Sequence, residues 1–288
     1  VSAAPVSSGD AEAVFRVCDA DGNLHTLSER QFLIGTLAAE LYPTYHIEAM
    51  KAQAVAAYTY YSYERAAARA DGDDPAKADF DDVPSTFPAV YSEAGLRERF
   101  GDKYDEYYAK LCEAVDAVTG KRLLYQGKPI MAVYHALSFE TTEDAKVVWG
   151  KDLPYLRSVP ATGDRLAPGY RSVVTFTDEQ FAAKLDGTVP LSGDASDWIT
   201  GEPTRSAAGT VTAITVGGKE MTGRELRKLL DLRSACFTVT HGENGFTFTV
   251  EGYGHGVGMS QYGADYLARQ GADYERILKY YYKDVTIA

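Results

Sequence analysis

The sequence predicts a protein of the α+β class, with helices and short antiparallel strands mixed around one cleft and a smaller lobe inserted in the middle. Helical patterns and short strand-like runs follow one another irregularly, unlike the regular strand–helix order of a doubly wound sheet. The 288 residues can bury a full core. A glycine-rich segment, residues 252–264, lies between a predicted strand and a predicted helix and is the most distinctive candidate site.

The sequence predicts two regions. Residues 1–22 are mostly small or polar and predict a tail that passes into a first strand. Because the chain begins with Val1 and not with methionine, we expect a processed form or one that lacks a signal or anchor segment. Residues 23–288 predict the main domain, with the middle lobe at about residues 163–249.

Three helices are predicted in the first half. A capping-box pattern at Ser28 begins a helix that extends through Leu41. A longer amphipathic helix is expected from Ile47 to about Ala70, followed by an acidic, proline-containing loop to about residue 89. A third helix is expected from about Glu93 to Val118, where a glycine follows closely.

The second half predicts shorter elements. Leu123–His135 has the pattern of a hairpin, and the middle lobe has helix-like stretches near 178–186 and 222–231. Phe246–Val250 alternates as a strand does, and Ser260–Gln270 predicts a helix that ends before a glycine.

Composition excludes several functions. With a net charge of −12 and no long basic run, the protein is not expected to bind nucleic acid. No apolar stretch reaches the ~20 residues that span a bilayer. The 3 cysteines are far apart and form neither a disulfide framework nor a metal-binding pair, and the 5 histidines show no ligand spacing. The 21 tyrosines suit sugar stacking but suit half-buried packing as well.

The glycine-rich segment does not match the common nucleotide-binding motifs. Glycines at 252, 254, 256 and 258 alternate with single side chains, including His255, whereas the dinucleotide fingerprint has a different spacing and a βαβ context. No Gly-Lys-Ser/Thr follows, which excludes a P-loop. A glycine-rich hairpin packed against aromatic neighbours remains the structural alternative. We expect that the backbone here approaches another segment closely or turns through positive φ.

Glu40 is the strongest candidate for acid chemistry. It lies in the last turn of the first predicted helix, where the negative end of the helix dipole and apolar neighbours disfavour its charged form. A carboxyl that stays protonated near neutral pH can act as a general acid. A solvated surface glutamate is the alternative. Glu48, at the start of the next helix, suits a hydrogen-bonding role better, and Lys51 suits a solvated helix face.

The segment from His135 to Glu143 leaves a strand and enters a polar loop. His135 is a candidate ligand or base, although a core histidine is the commoner case. Ser138 with a distant histidine is compatible with nucleophilic hydrolysis, but no nucleophile-elbow pattern surrounds it.

Three stretches resemble the stage II sporulation protein D family and its relatives, the SpoIID/LytB family. The resemblance covers nearly the whole chain from about residue 25. Its stretches are Leu37–Pro43 with Glu48–Tyr60, Val118–Lys121 through Pro154–Val159, and the glycine-rich segment with Ile277–Tyr282.

The resemblance implies a lytic transglycosylase, a lyase that cuts peptidoglycan glycan strands lacking stem peptides during engulfment in sporulation. Glu40 aligns with the family's catalytic glutamate. The family implies a cell-wall amidase and membrane-anchored engulfment proteins as partners, and a location outside the cytoplasmic membrane, tethered to it. We expect the His255 segment and Gln261-Tyr262 to form part of the sugar cleft near Glu40. The expected substrate-binding or supporting residues are His255, Ser260, Gln261, Tyr262, Lys51, His135, Ser138, Thr142 and Glu143.

Two departures from the family pattern affect these expectations. Phe139-Glu140 stands where the family commonly has Gly-Gly, so the shape of this loop is open, although Ser138, Thr142 and Glu143 keep the flanking polar groups. Some relatives bind zinc here through cysteine and histidine. No cysteine lies between Lys121 and Arg233, so we expect no metal and no other cofactor.

Two other functions stay open. The first is a non-catalytic glycan-binding protein that enhances a cell-wall amidase, a role also associated with the wider family. The second is a metal-dependent hydrolase, which would require bound metal.

Overall fold

The computed structural model describes residues 14–18, 22–70, 72–81 and 90–288. Most of the predicted N-terminal tail, and the loop residues 71 and 82–89, lie outside the described residues. The chain divides into two compact units. The first comprises residues 1–132, 272–275 and 285–288, and the second comprises residues 133–271 and 276–284. The predicted middle lobe, about 163–249, lies within the second unit.

The first unit begins with a small sheet. Strands β1 (Val14–Cys18) and β2 (Leu24–Ser28) pair antiparallel, and β3 (Phe80–Asp81) pairs parallel with β1. Phe15 of β1 stacks on Phe32 with 4.2 Å between ring centres. Both rings are buried, and a buried phenylalanine stabilises a fold by about 1.5–3 kcal/mol.

Helices form the rest of the first unit's core. They are α1 (Glu29–Glu40), α2 (Ile47–Ala68), α3 (Glu93–Phe100) and α4 (Tyr104–Asp116). The capping box at Ser28 is present as predicted, with the hydroxyl accepting from Gln31 N–H and the Gln31 side chain accepting from Ser28 N–H. The first two helices confirm the predicted bounds within one or two residues.

The single helix predicted from Glu93 to Val118 is wrong. The structure has two helices there, separated by a short 3-10 turn at Gly101–Lys103. Gly101 has φ +51° and ψ −128°, a backbone conformation that L residues avoid, and it ends α3. The prediction placed the helix end at the later glycine, Gly120, although Gly101 lies inside the predicted range and can end a helix in the same way.

The predicted hairpin is present but short. Strands β4 (Leu123–Tyr125) and β5 (Lys128–Pro129) pair around Gln126-Gly127, both at positive φ, and β14 (Thr286–Ile287) pairs with β4. The second predicted strand does not continue to residue 135. Instead β6 (Tyr134–His135) pairs parallel with β13 (Met259–Ser260) in the second unit.

The second unit contains two antiparallel sheets and two helices that share an apolar core. One sheet has the order β11-β12-β7 and the other the order β10-β9-β8. Their strands are β7 (Arg171–Phe176), β8 (Ile199–Arg205), β9 (Val211–Val216), β10 (Lys219–Met221), β11 (Phe237–Gly242) and β12 (Gly245–Glu251). Helices α6 (Asp178–Leu185) and α7 (Gly223–Leu230) begin with capping boxes and confirm the two predicted stretches.

The remaining helices are α5 (Ala145–Trp149), α8 (Gln261–Arg269) and α9 (Tyr274–Tyr281). Helix α8 has Ser260 as its N-cap and is followed by Gly271 at φ +89°, as the sequence predicted. The fold class is therefore α+β with small, mostly antiparallel sheets, which confirms the prediction. Over the residues that the structure describes, no helix has both the length and the apolar character to cross a bilayer.

Candidate functional site

Glu40 is the last residue of α1 and lies in the first unit, partly buried. The helix ends here because Leu41 adopts an extended conformation and its N–H closes the last turn on Leu37 O at 2.9 Å. Leu41 is buried and Tyr42 is exposed. Glu40 thus lies at the C-terminal, negative end of the helix dipole, as the sequence predicted.

The loop after Glu40 is fixed by a lysine from another helix. Lys110 of α4 donates hydrogen bonds of 2.7 Å to the carbonyl oxygens of Pro43 and Tyr45. The backbone of Tyr45 also bonds to Tyr42 O at 3.1 Å. The segment between α1 and α2 is therefore held in one shape beside Glu40, within the first unit.

Lys51 and Glu48 form a hydrogen-bonded pair on α2. Lys51 Nζ donates to Glu48 Oε1 at 2.7 Å, and Glu48 Oε2 accepts from the backbone N–H of Tyr274 at 2.9 Å. These are the contacts of a carboxylate that joins two segments of the first unit. Lys51, one of the expected supporting residues, therefore contacts Glu48, and Glu48 in turn contacts the backbone of Tyr274.

In the second unit, the glycine-rich segment lies against the polar loop that follows β6. Leu137 pairs with Tyr253, and Glu143 pairs with Val257. A Cβ added at Gly258 would lie 2.1 Å from Val133 O, and Gly258 has φ +75°. Both the close approach and the positive φ that the alternating glycines predicted are present. The approached segment is residues 133–143.

A buried network holds these two segments together. His135 Nδ1 bonds to Val257 O at 3.0 Å, and His135 Nε2 bonds to Ser138 Oγ at 2.6 Å. A carbonyl only accepts, so Nδ1 carries the proton and the Ser138 hydroxyl donates to Nε2. The ring is neutral in this arrangement, and burial lowers the pKa of His135 to about 4.

Asp164 completes the network, and sequence reasoning missed it. Its Oδ2 accepts from Ser138 N–H at 2.6 Å and from Ser260 Oγ at 2.7 Å. The side chain is fully buried, and burial raises its pKa to about 6. Asp164 lies in a 3-10 turn, Thr162–Leu166, with no local pattern around it. Only the fold brings it to Ser138 and Ser260.

The Ser138–His135 pair has the hydrogen bond of an activated nucleophile, but it is not accessible. Ser138 is 1% exposed and His135 is 4% exposed. A substrate carbonyl cannot reach the hydroxyl in this arrangement. The pair therefore works as an internal connection, which argues against nucleophilic hydrolysis at Ser138.

His255 is fixed by the segment that carries it. Its Nδ1 accepts from Val257 N–H at 3.1 Å, and the ring also bonds to the backbone of Tyr134. Its ring centre lies 5.1 Å from that of Trp149 and 5.6 Å from that of His135. Burial, with smaller contributions from His135 and Arg227, lowers the pKa of His255 to about 3. The ring is thus neutral at physiological pH.

Thr142 and Glu143 are buried and internally bonded. Thr142 Oγ1 accepts from Val159 N–H at 2.9 Å. Glu143 Oε2 accepts from Ser206 Oγ at 2.5 Å, and its backbone N–H donates to Gly256 O at 2.7 Å. Both residues therefore stabilise the loop against its neighbours.

Phe139 and Glu140, which stand where the family commonly has Gly-Gly, both have contacts in this structure. Phe139 packs on Gly209, where an added Cβ would lie 2.6 Å from the Phe139 ring. Glu140 is exposed and pairs with Arg165 at 3.3 Å. The ring therefore occupies space next to a glycine of the same unit, and this explains how the loop accommodates a large side chain.

Gln261 and Tyr262 begin α8, directly after the glycine-rich segment. Gln261 is buried, whereas Tyr262 is partly exposed. Tyr262 N–H bonds to Ala136 O at 3.3 Å, and its hydroxyl donates to Leu166 O at 3.3 Å. Of the expected site residues, only Glu40 and Lys51 lie in the first unit, and the other eight, Gln261 and Tyr262 among them, lie together in the second.

A small cavity lies beside this loop within the second unit. Its volume is about 20 Å³, and its lining includes Glu143, Arg224, Arg227, Cys236 and His255. That volume holds about one water molecule and no sugar ring. Burial raises the pKa of the Cys236 thiol to about 11, so the thiol is neutral and unreactive at physiological pH.

The zinc site of some relatives does not fit these residues. Among the described residues, no three His, Cys, Asp or Glu side chains are placed to hold a metal ion. Both ring nitrogens of His135 are also taken by Val257 and Ser138. No step that involves a metal follows from this arrangement.

Comparison with known proteins gives the family. The model of the SpoIID family, described as stage II sporulation protein, matches residues 22–125. Stage II sporulation protein D of Bacillus subtilis is 34% identical over 270 residues, covering 93% of this chain and 77% of the relative. That of Bacillus amyloliquefaciens is 36% identical, covering 90% and 73%.

A more distant relative carries a different name. The amidase enhancer of Bacillus subtilis is 27% identical over 308 residues, covering 88% of this chain and 40% of the relative. The two sporulation proteins exceed 30% identity over most of both chains. The chain therefore belongs to the SpoIID family and is homologous to stage II sporulation protein D.

Proposed function

We propose that the protein is a lytic transglycosylase that cleaves peptidoglycan glycan strands between N-acetylmuramic acid and N-acetylglucosamine, with Glu40 as the general acid and base. The position of Glu40 carries this proposal. It is a partly buried carboxyl at the C-terminal end of α1, where the helix dipole disfavours the charged form. The loop that follows it is fixed by Lys110, so the acid has a defined setting.

One carboxyl is enough for this reaction. Glu40 donates its proton to the glycosidic oxygen, and the bond from that oxygen to C1 of the muramic acid residue breaks. The resulting carboxylate takes the proton of the C6 hydroxyl of the same muramic acid residue. Oxygen O6 then bonds to C1 and closes an anhydro ring. Glu40 ends protonated, as it began, and no water or second carboxylate takes part, unlike the usual two-carboxylate glycosidase.

The second unit's glycine-rich segment has a supporting role in this proposal. His255, His135 and Ser138 are neutral and hydrogen-bonded within the unit, so none of them acts as a base. They fix the backbone of the segment and the start of α8. The exposed parts of Tyr262 are then available for contact with sugar.

We further propose a setting for this activity. A protein that acts on peptidoglycan works outside the cytoplasmic membrane, and the sporulation proteins among the relatives suggest engulfment. A strand without stem peptides is the preferred substrate, so a cell-wall amidase and membrane-anchored engulfment proteins are the expected partners.

The Glu40→Gln variant tests the catalytic assignment. Glutamine keeps the size of the side chain but cannot donate the proton, so we expect loss of strand cleavage, by about 10²-fold or more. Glu29→Gln, the same substitution at the opposite end of α1, is the matched control, with its activity largely retained. Unfolding curves of both variants exclude loss of fold as the cause. Full activity in Glu40→Gln would overturn the assignment.

A non-catalytic, glycan-binding enhancer of a cell-wall amidase is the second candidate, favoured by the similarity to an amidase enhancer. It predicts that the protein binds strands without cutting them and that Glu40→Gln stimulates a cell-wall amidase as well as the wild type does. Strand cleavage by the pure protein would exclude this as the sole function.

A further inference from the structure

We propose that Tyr42, Arg99 and Lys103 form a subsite in the first unit for a muramic acid residue that has a free lactyl carboxylate. The inference rests on the proposed function, because it takes a peptidoglycan strand without stem peptides as the ligand. Such a strand carries a carboxylate on every second sugar. The three side chains offer an aromatic surface for the sugar ring and two cations for the carboxylate.

Tyr42 is an exposed aromatic ring in a fixed orientation. It is 42% exposed, and it contacts two buried rings in T-shaped geometry. Its ring centre lies 5.8 Å from that of Phe100 and 5.4 Å from that of Tyr107. These contacts hold the ring without covering it. A fixed, open aromatic surface binds a sugar ring with little loss of side-chain entropy.

Arg99 lies beside this ring. Its guanidinium carbon is 6.0 Å from the Tyr42 ring centre and 4.9 Å from that of Tyr91, and Nη1 donates to the Tyr91 hydroxyl at 2.6 Å. The side chain is exposed, and among the described residues it forms no ion pair with a carboxylate. The guanidinium has further N–H groups for two parallel hydrogen bonds to an external carboxylate.

Lys103 supplies a second cation to the same cluster. Its Nζ lies 3.3 Å from the Tyr107 hydroxyl and 5.5 Å from the centre of that ring. It is exposed and forms no hydrogen-bonded ion pair with a carboxylate that the structure describes, although the charge of Glu106 acts on it. The chain has a net charge of −12, so two cations left together on an aromatic cluster indicate an anionic ligand from outside the chain.

Arg97, unlike Arg99, is already paired with a carboxylate. It belongs to the same helix, α3, but its Nη2 is paired with Glu93 at 2.9 Å and its guanidinium lies over the Tyr104 ring. Its charge is therefore already balanced within the helix. Arg97 is a matched control for Arg99, because it is the same residue type two positions earlier on the same helix, where it faces a different side and has no role in the subsite.

The cluster lies next to the proposed acid along the chain. Leu41, between Glu40 and Tyr42, is extended and buried, whereas Glu40 is partly exposed and Tyr42 is exposed. Only one residue therefore separates the proposed acid from the aromatic ring. The proposal places the sugar that stacks on Tyr42 beside the bond that Glu40 protonates.

Binding measured in the Glu40→Gln background tests the subsite, because the ligand then stays intact. The ligands are oligosaccharides of alternating N-acetylglucosamine and N-acetylmuramic acid without peptides, and N-acetylglucosamine oligomers of equal length. Tyr42→Ala should weaken the binding of both by about tenfold. Arg99→Ala should weaken only the muramic acid oligomers, also by about tenfold, since only they lose a charge-assisted contact. Arg97→Ala should change neither.

The salt dependence of binding and a second variant at Tyr42 provide further tests of the subsite. Added salt should weaken binding of the muramic acid oligomers more than that of the neutral oligomers, and Lys103→Ala should reduce this salt dependence. Tyr42→Leu, which keeps apolar packing, replaces Tyr42→Ala if the latter unfolds. Equal effects of Arg99→Ala on both ligands, or no effect on either, would overturn the subsite. Wild-type cleavage is measured separately, so a failed subsite and a failed transglycosylase assignment are distinguishable.

Discussion

The hydroxyl of Ser260 donates a hydrogen bond of 2.7 Å to the carboxyl group of Asp164, which is 96 residues away in sequence. The same oxygen of Asp164 accepts from the backbone N–H of Ser138 at 2.6 Å. One buried carboxyl thus connects the end of the glycine-rich segment with the polar loop after β6. The shape of this part of the second unit depends on Asp164.

The titration of Asp164 should make the stability of the protein depend on pH. Burial raises its pKa to about 6, whereas its ordinary value is 3.8. The folded protein therefore holds a proton that the unfolded chain has lost, and this stabilisation is complete below pH 3.8 and lost as the pH rises through about 6. The total is about 3 kcal/mol, from a shift of about two pKa units.

The Asp164→Asn variant removes this titration. The free energy of unfolding of the wild type relative to that of the variant should fall between pH 4 and pH 7, by up to about 3 kcal/mol, in urea unfolding. A difference between the two proteins that stays constant over this range would contradict the account.

His135, which is buried, and His255, which is partly buried, should change stability with pH in the opposite direction to Asp164. The pKa values of His135 and His255 are lowered to about 4 and about 3, mainly by burial, from an ordinary value of 6.5. Their contribution to stability is present above pH 6.5 and is lost as the pH falls through those lower values. Nuclear magnetic resonance should show both rings neutral at pH 5.5. A midpoint near 6.5 for either ring would show that it is not held as described.

The glycine at position 258 should not tolerate a side chain. Alanine there would place its Cβ 2.1 Å from Val133 O and would also have to adopt φ +75°. We expect Gly258→Ala to destabilise the second unit by more than about 3 kcal/mol, because strain and the loss of the β6–β13 pairing add together. Thermal and urea unfolding measure the effect.

Gly271→Ala is the control for this prediction. Gly271 also has positive φ, +89°, but no atom lies within 4 Å of an added Cβ. Only the backbone conformation is penalised, so the cost should be about 1 kcal/mol. Equal costs at the two positions would show that the contact with Val133 does not matter.

The partly buried hydrogen bond between Ser206 and Glu143 should contribute to stability. Glu143→Ala leaves the Ser206 hydroxyl and the Asp144 N–H without the carboxylate that accepts from them, at 2.5 and 3.0 Å. We expect a loss of about 2 kcal/mol. Glu140→Ala, in the same loop but exposed, should change stability by less than about 0.5 kcal/mol, and a similar loss in both variants would contradict this prediction.

Local sequence patterns predicted helices α1, α2, α6, α7 and α8, but they missed the break at Gly101. The capping box predicted at Ser28 marks a true helix start because it is formed by residues three positions apart. The glycines of the C-terminal segment likewise predicted a close approach of backbone. In both cases the residues that make the prediction are also the residues that determine the local backbone conformation.

Features with distant causes could not be predicted in this way. Asp164 is recognisable only through partners 26 and 96 residues away. The longer predicted hairpin is absent because Tyr134–His135 pairs with Met259–Ser260 instead. This parallel partner lies far along the chain, so no local pattern indicates it. The Arg99–Tyr42 contact also depends on packing between separate helical segments.

The end group of the reaction product tests the central proposal most directly. Purified protein is incubated with peptidoglycan strands without stem peptides, and the fragments are analysed by mass spectrometry, with Glu40→Gln as the blank. We expect fragments that end in anhydro-muramic acid, lighter by one water than a hydrolysis product, from the wild type only. Fragments with ordinary reducing ends, or no fragments at all, would contradict the proposal.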